Sequence, residues 1–186
     1  MNIDRASLRA VFSCAVSIAW RSATLAETIH IPVDVPTIQA CINAAVDGVD
    51  ECVVAPGVYS ETINFLGKSI IVRSSGGRGV TTIDATGMGG TVVTCENGEG
   101  SQTILDGFTI TGGFSTEVGG GMVNHSSSPT VTSCTFDSNT AAGTGGAVYN
   151  FQSSPTFEDC VFMGNSAYNG GAMENMGSSP LITRCV

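Results

Sequence analysis

Gly119-Gly120-Gly121-Met122-Val123-Asn124 recurs as Gly145-Gly146-Ala147-Val148-Tyr149-Asn150 and again as Gly170-Gly171-Ala172-Met173-Glu174-Asn175, at spacings of 26 and then 25 residues. Each copy runs on to a Ser-Ser-Pro ending at Pro129, Pro155 or Pro180, then to Val131, Phe157 or Ile182, then to Cys134, Cys160 or Cys185. Phe136 and Phe162 stand two residues beyond the first two of these cysteines, and Asn139 and Asn165 three residues further. The segment Leu105 to Gly113 reads as a diverged earlier copy, with Phe108 in the cysteine slot and Ile110 in the phenylalanine slot. A repeat this short cannot bury its own apolar face, so successive copies must stack.

The pattern inside each repeat selects the kind of stack. Apolar residues alternate at period two, as in Cys134-Thr135-Phe136, and Gly, Asn or Ser-Pro cuts every run. This excludes helical repeats and predicts an all-β, right-handed parallel β-helix with two or three short strands per coil. Coils stack about 4.8 Å apart, so like residues form columns of Cys, Phe and Asn. Asn124, Asn150 and Asn175 form one such ladder and Asn139 and Asn165 another, each carboxamide bonding corner backbone and the next Asn. With 24 Gly and only 12% charged residues the chain suits short strands and tight turns, and its 42% hydrophobic content is enough to build a core.

Residues 36–47 follow a different rule. Pro36 suits a first helical position, Ile38, Cys41, Ile42 and Ala45 fall on one helical face, and Gly48 supplies a stop. A short amphipathic helix here caps the first coil, as terminal units of solenoids must. Cys52 to Ala55 is then the first strand, with further strands at 69–73, 81–84 and 91–95. The organisation expected is an N-terminal segment with its capping helix over 27–50 and a solenoid over 51–186, with irregular coils to about 118 and regular repeats over 119–186. The chain stops at Val186 with Cys185 in place and no Phe-x-x-Asn after it. The C-terminal end therefore reads as truncated, and its unpaired edge invites self-association.

Residues 1–26 read as a secretory signal peptide: Arg5 and Arg9, then the apolar run Ala10 to Trp20, then Thr24-Leu25-Ala26 before a cut after Ala26. Removing them takes away Asp4, Arg5, Arg9 and Arg21, leaving 15 acids against 4 bases, a formal charge of −11. Such a chain is expected to be secreted, extracellular or held at the cell surface, and its charge argues against nucleic acid as a partner.

Pro36-Thr37-Ile38-Gln39, Ala44-Ala45, Asp47-Gly48 and Val53 to Tyr59 resemble the opening of pectin-lyase-like β-helix proteins. Gly145-Gly146-Ala147, Gly170-Gly171-Ala172, Phe136 to Asn139 and Phe162 to Asn165 resemble repeats of the chlamydial polymorphic outer membrane proteins. The first resemblance implies a fold that includes polysaccharide lyases and hydrolases. The second implies a surface passenger acting in adhesion. Fold alone does not choose between them.

The residues lean away from catalysis. A hydrolase needs paired carboxylates; Asp106 and Asp159 are candidates by type, yet the repeat pattern stacks no two acids into one cleft and reads them as solvated turn residues. No metal site or cofactor is expected, since the Gly-Gly-x-Gly-x-Asp calcium turn is missing. His30 and His125 read as surface residues. Trp20, the one tryptophan, lies in the leader, which leaves Tyr149 as the best outward aromatic for sugar contact. Asn124-His125-Ser126 is a lone glycosylation pattern. The reading is a non-catalytic surface or extracellular protein that contacts a polysaccharide or another cell-surface component, with a polysaccharide lyase or glycoside hydrolase as the alternative.

Six cysteines follow the leader. Cys41 on the apolar face of the cap helix must meet Cys52 in the strand beneath it, so these two form a disulfide. Cys134, Cys160 and Cys185 point the same way from stacked rungs and are expected to remain buried thiols, with Cys95 free as well.

Overall fold

A computed structural model describes residues 25–186; the leader assigned to 1–26 lies almost wholly outside the described residues. The described chain winds into a parallel β-solenoid with one short helix. Every strand pairs in parallel with the strand one coil above or below it. Four sheets result, and they are the faces of the solenoid.

The fourth coil shows the plan. Thr130–Thr132 lies on the first face, Thr135–Asp137 on the second, Thr140–Thr144 on the third and Val148–Phe151 on the fourth. A regular coil thus carries four strands, where two or three were expected from the sequence. The extra one hides because the corners are so tight. Each of the four corners turns on one left-handed residue: Ser133, Ser138, Gly145 and then Gln152, at φ between 50° and 69°. The equivalent corners of the fifth coil are Asp159, Gly164, Gly170 and Gly177. Non-glycine residues tolerate this region poorly, and a serine or aspartate in it gives no loop-like run of Gly and Pro to mark a boundary.

Glycine is required where coils approach most closely. A Cβ placed on Gly120 would lie 2.6 Å from the carbonyl oxygens of both Gly146 and Thr140. The repeated Gly-Gly is therefore a packing constraint between rungs.

Register carries the repeat into the core. On the first face Cys52, Val72, Leu105, Val131, Phe157 and Ile182 stack in order. On the second, Tyr59, Ile83, Ile110, Phe136 and Phe162 do so. The Phe136 and Phe162 rings lie parallel with centroids 5.2 Å apart, and Phe157 meets both edge-on. Leu105, Phe108 and Ile110 occupy the slots that the diverged copy assigns them, all buried. Each such side chain contributes about 1.5–3 kcal/mol on burial.

At the N-terminal end, strand Thr28–Ile31 pairs with Glu51–Val54, so an extra strand precedes the one expected to be first. Helix Ile38–Ala44 covers the opening, with Ile38, Cys41 and Ile42 fully buried. It starts later than Pro36 would place it, because Thr37 is the N-cap, its hydroxyl accepting from the Ala40 N–H at 3.0 Å. Two charged side chains from the first coil close its ends. The Glu61 carboxylate accepts from the Ile38 and Gln39 N–H groups, both at 2.9 Å. Lys68 Nζ donates to the carbonyls of Ile42, Asn43 and Ala45 at 2.6–2.9 Å. Each charge faces the end of the helix that its sign favours.

Candidate functional site

The first face carries Asp106, one of the two acids singled out by type. Register places Val53, Arg73, Asp106, Thr132 and Glu158 in one outward column. Arg73 pairs with Glu51. Asp106 is half-buried, and burial raises its carboxyl above the ordinary range while Arg73 opposes the rise. Asp106 and Glu158 therefore do share a column, which the sequence pattern did not reveal. Two rungs separate them, about 10 Å. Arg184 occupies Glu158, and it also binds Asp159 through Nε at 2.7 Å and Nη2 at 2.9 Å. Those bonds hold the Asp159 carboxyl low.

Asp159 itself sits in the corner between the first and second faces, outside the Asp106 column. The two acids named as candidates are not brought together. Among the described residues the ion pairs beside this column join Arg73 to Glu51 and Arg184 to Glu158 and Asp159, so the one other acid in the column, Glu158, is already held by Arg184.

A shallow groove of about 210 Å³ runs beside this face, lined by Val49, Ile71, Ile104 and Gln102 among others. Asp50 borders it but points its charge inward, accepting from Val46 N–H at 2.7 Å and Glu27 N–H at 2.9 Å. Those two bonds lower its pKa. Among the described residues no three His, Cys, Asp or Glu side chains converge as metal ligands would.

The fourth face carries Tyr149 and a column of outward rings. Tyr149 is half-buried, its hydroxyl 3.6 Å from Met176 Sδ. His125, Phe151 and Met176 form the neighbouring column, with the His125 and Phe151 rings stacked at 5.0 Å. Their recurrence immediately after each ladder Asn was the available signal for this column. On the third face Tyr168 is the most exposed aromatic among the described residues, at 86% of its free surface. His30 and His125 are both exposed.

Inside, polar columns run beside the apolar ones. Asn124 Nδ2 donates to Asn150 Oδ1 and Asn150 Nδ2 to Asn175 Oδ1, each at 2.8 Å. Asn165 Oδ1 accepts from Asn139 N–H at 3.0 Å and Asn139 Nδ2 at 3.1 Å, and Asn139 Oδ1 from Gly113 N–H at 3.0 Å. A third column, absent from the sequence reading, comes from the Ser-Ser-Pro motif. Ser178 Oγ accepts from Ser153 N–H and Ser153 Oγ from Ser127 N–H, both at 3.0 Å. Ser127 Oγ donates to Glu99 Oε2 at 2.8 Å. Buried Glu99 also accepts from the Gly67 and Asn97 N–H groups and so ends the column.

The first Asn ladder ends differently. The rung before Asn124 is Cys95, and Asn124 Oδ1 is buried without a partner. Full burial of Asn124 also closes the glycosylation pattern to any enzyme acting on the folded chain.

Cys41 and Cys52 are joined, tying the cap helix to the first coil, with Cα atoms 6.0 Å apart. Cys95, Cys134, Cys160 and Cys185 are thiols. Cys134, Cys160 and Cys185 donate one coil back, to the carbonyls of Leu105, Val131 and Phe157, with the sulfurs 3.5–3.7 Å from oxygen.

The family model of the Chlamydia polymorphic membrane protein repeat matches residues 133–150. That stretch runs from the Ser133 corner through Phe136, Asn139 and Gly145-Gly146-Ala147 to Asn150, taking in the second- and third-face strands of the fourth coil and most of its fourth-face strand. No curated protein and no solved structure matches the chain. The chain is a β-solenoid repeat protein whose repeat resembles that of the polymorphic membrane proteins.

Proposed function

We propose that this protein is a non-catalytic, surface-exposed solenoid that contacts a polysaccharide or another cell-surface component in adhesion. The observation that carries the reading is the repeat of residues 133–150, which matches that of a membrane-protein family and is built from packing devices. Cys, Phe, Asn and Gly-Gly all serve rung-to-rung contact, which leaves the outward positions free to vary. Val123, Tyr149 and Glu174 occupy one outward column of three successive coils and share no chemistry. A scaffold that holds its rungs constant while its outward residues change suits display. The secretory leader read at 1–26 supports export from the cell.

Two measurements test this. Protease shaving of intact cells that express the full chain should remove it from the surface. Chain-coated beads should bind glycan-bearing cells, and Tyr168→Ala with Phe151→Ala should weaken that binding. A chain retained in the cytoplasm, or turnover of pectin, polygalacturonate or alginate that Asp106→Asn abolishes, would replace this reading with the enzymatic one.

The last rung also suits self-association of the 27–186 polypeptide. Leu181, Ile182 and Met176 are each half-exposed or more there. The opposite end lies beneath the cap helix, so copies would meet tail to tail and close as a dimer. Light scattering at rising concentration reads this directly: a plateau at two copies supports it, and a monomer throughout opposes it.

A further inference from the structure

In a solenoid each coil touches its neighbours, and stability adds rung by rung. One side chain here departs from that rule. The loop after strand Ile71–Ser74 is Ser75-Gly76-Gly77-Arg78-Gly79, in the second coil. It leans along the solenoid axis over the corner between the first and second faces. Ser74 Oγ accepts from the Gly76 and Gly77 N–H groups at 3.1 and 2.8 Å and starts the turn.

From there the loop meets three coils in order. In the third, Thr109 Oγ1 donates to the Arg78 carbonyl at 2.8 Å. Gly107 forms that coil's corner, and a Cβ on it would lie 3.4 Å from Gly77 Cα. In the fourth, Arg78 Nη1 is 3.5 Å from the Cys134 carbonyl. In the fifth, the same nitrogen donates to the Asp159 carbonyl, 81 residues away in sequence. Asp159 is itself one of the left-handed corners, and Cys134 follows the corner at Ser133, its carbonyl also accepting the ladder bond from Val161 N–H at 2.9 Å. The guanidinium is partly buried there, and its fork of donors suits several carbonyls at once.

We propose that Arg78 is a latch that fastens the second coil to the fifth, so that the third, fourth and fifth coils open as one unit instead of fraying singly from the C-terminal side. Its contacts are to backbone, so the latch holds whatever side chains the corners carry. The small corner residues Gly107 and Ser133 leave its path clear.

Hydrogen exchange with mass spectrometry on the full chain tests the latch, comparing wild type with Arg78→Ala, Arg78→Lys and Arg184→Ala. Arg184 grips Asp159 from the coil next to it and so serves as the nearest-neighbour control. Loss of the charged donor in Arg78→Ala should speed exchange about tenfold at amides of 133–139 and 159–165 and leave 51–64 unchanged. Arg78→Lys, which keeps the charge and folds most readily, should speed the same amides by a smaller factor. Arg184→Ala should affect 156–163 alone. The latch is overturned if both Arg78 variants accelerate only 74–81 and 107–109. It is equally overturned if Arg184→Ala loosens 133–139 as much as they do.

Discussion

Asn124 gives its Nδ2 hydrogen to the Oδ1 of Asn150, one coil on, at 2.8 Å, and both side chains are fully buried. Asn150 passes the same bond to Asn175, so it is acceptor and donor at once. Asn150→Ala removes both and leaves a buried donor unpaired, a loss of about 2–4 kcal/mol. Asn150→Asp still accepts from Asn124 but can donate only when protonated. Urea melts should therefore show Asn150→Ala destabilised at every pH and Asn150→Asp recovering as pH falls. Equal and pH-independent losses would show that the ladder fills space without bonding.

The cap has two independent fastenings. The Cys41–Cys52 bond closes a loop with a sequence separation of 11. A loop of that length constrains the unfolded chain by about 3 kcal/mol. Lys68 holds three helix carbonyls without a covalent bond. A Cys41→Ala, Cys52→Ala double variant should lose about 3 kcal/mol while keeping the cap. Lys68→Met should lose about 1–3 kcal/mol and fray the cap helix, seen as faster exchange at 41–45. Loss of the whole β spectrum in either chain would mean that the cap nucleates the solenoid.

Two aspartates should give opposite pH signatures. Asp50 has its folded pKa lowered by the Val46 N–H and then the Glu27 N–H. Its contribution is present above the unfolded value, near pH 4, and is lost as pH falls through the folded one. Asp106 is raised by burial, so its ionisation opposes folding and stability falls as pH climbs through its range. Asp50→Asn should be less stable at pH 7, with a flatter acid limb. Asp106→Asn should match or exceed wild type at pH 7. The reverse order in thermal melts from pH 3 to pH 7 would overturn both assignments.

How much of this the sequence could show depends on what each residue touches. Columns were legible because register repeats with the motif: Cys134 implies Cys160, and Phe136 implies Phe162. Phe108 and Ile110 were placed in the same way although the surrounding copy has diverged. The third face escaped notice because Thr140–Thr144 carries Ala and Gly, with no alternation to mark a strand. Glu99 was illegible as well. It stands where later coils have serine, and only the fold shows that its carboxylate meets Ser127, Gly67 and Asn97. Arg78 bonds to carbonyls, which leave no trace in side-chain identity. The same holds for the outward acids: Asp106 and Glu158 align only once the coil lengths between them are known.

The thiol column gives the last prediction. Burial pushes Cys160 up to about 12, and Cys134 and Cys95 are raised by burial too. The thiolate is the reactive form, so at pH 8 these three should react with iodoacetamide or an aromatic disulfide more than ~100-fold slower than a free peptide thiol. Cys185 differs by place, being partly exposed on the last rung. It should be modified first, and alone, in the folded chain. Neighbouring sulfurs in the column each point at a carbonyl one coil back, so oxidation should not link them. Urea should release Cys134 and Cys160 together if the third to fifth coils open as a unit. Mass mapping after a timed pulse of alkylating agent distinguishes the sites. Early label on Cys134 or Cys160, or a peptide linking either to Cys185, would mean that the column is open to solvent and that the rungs are not held in this register.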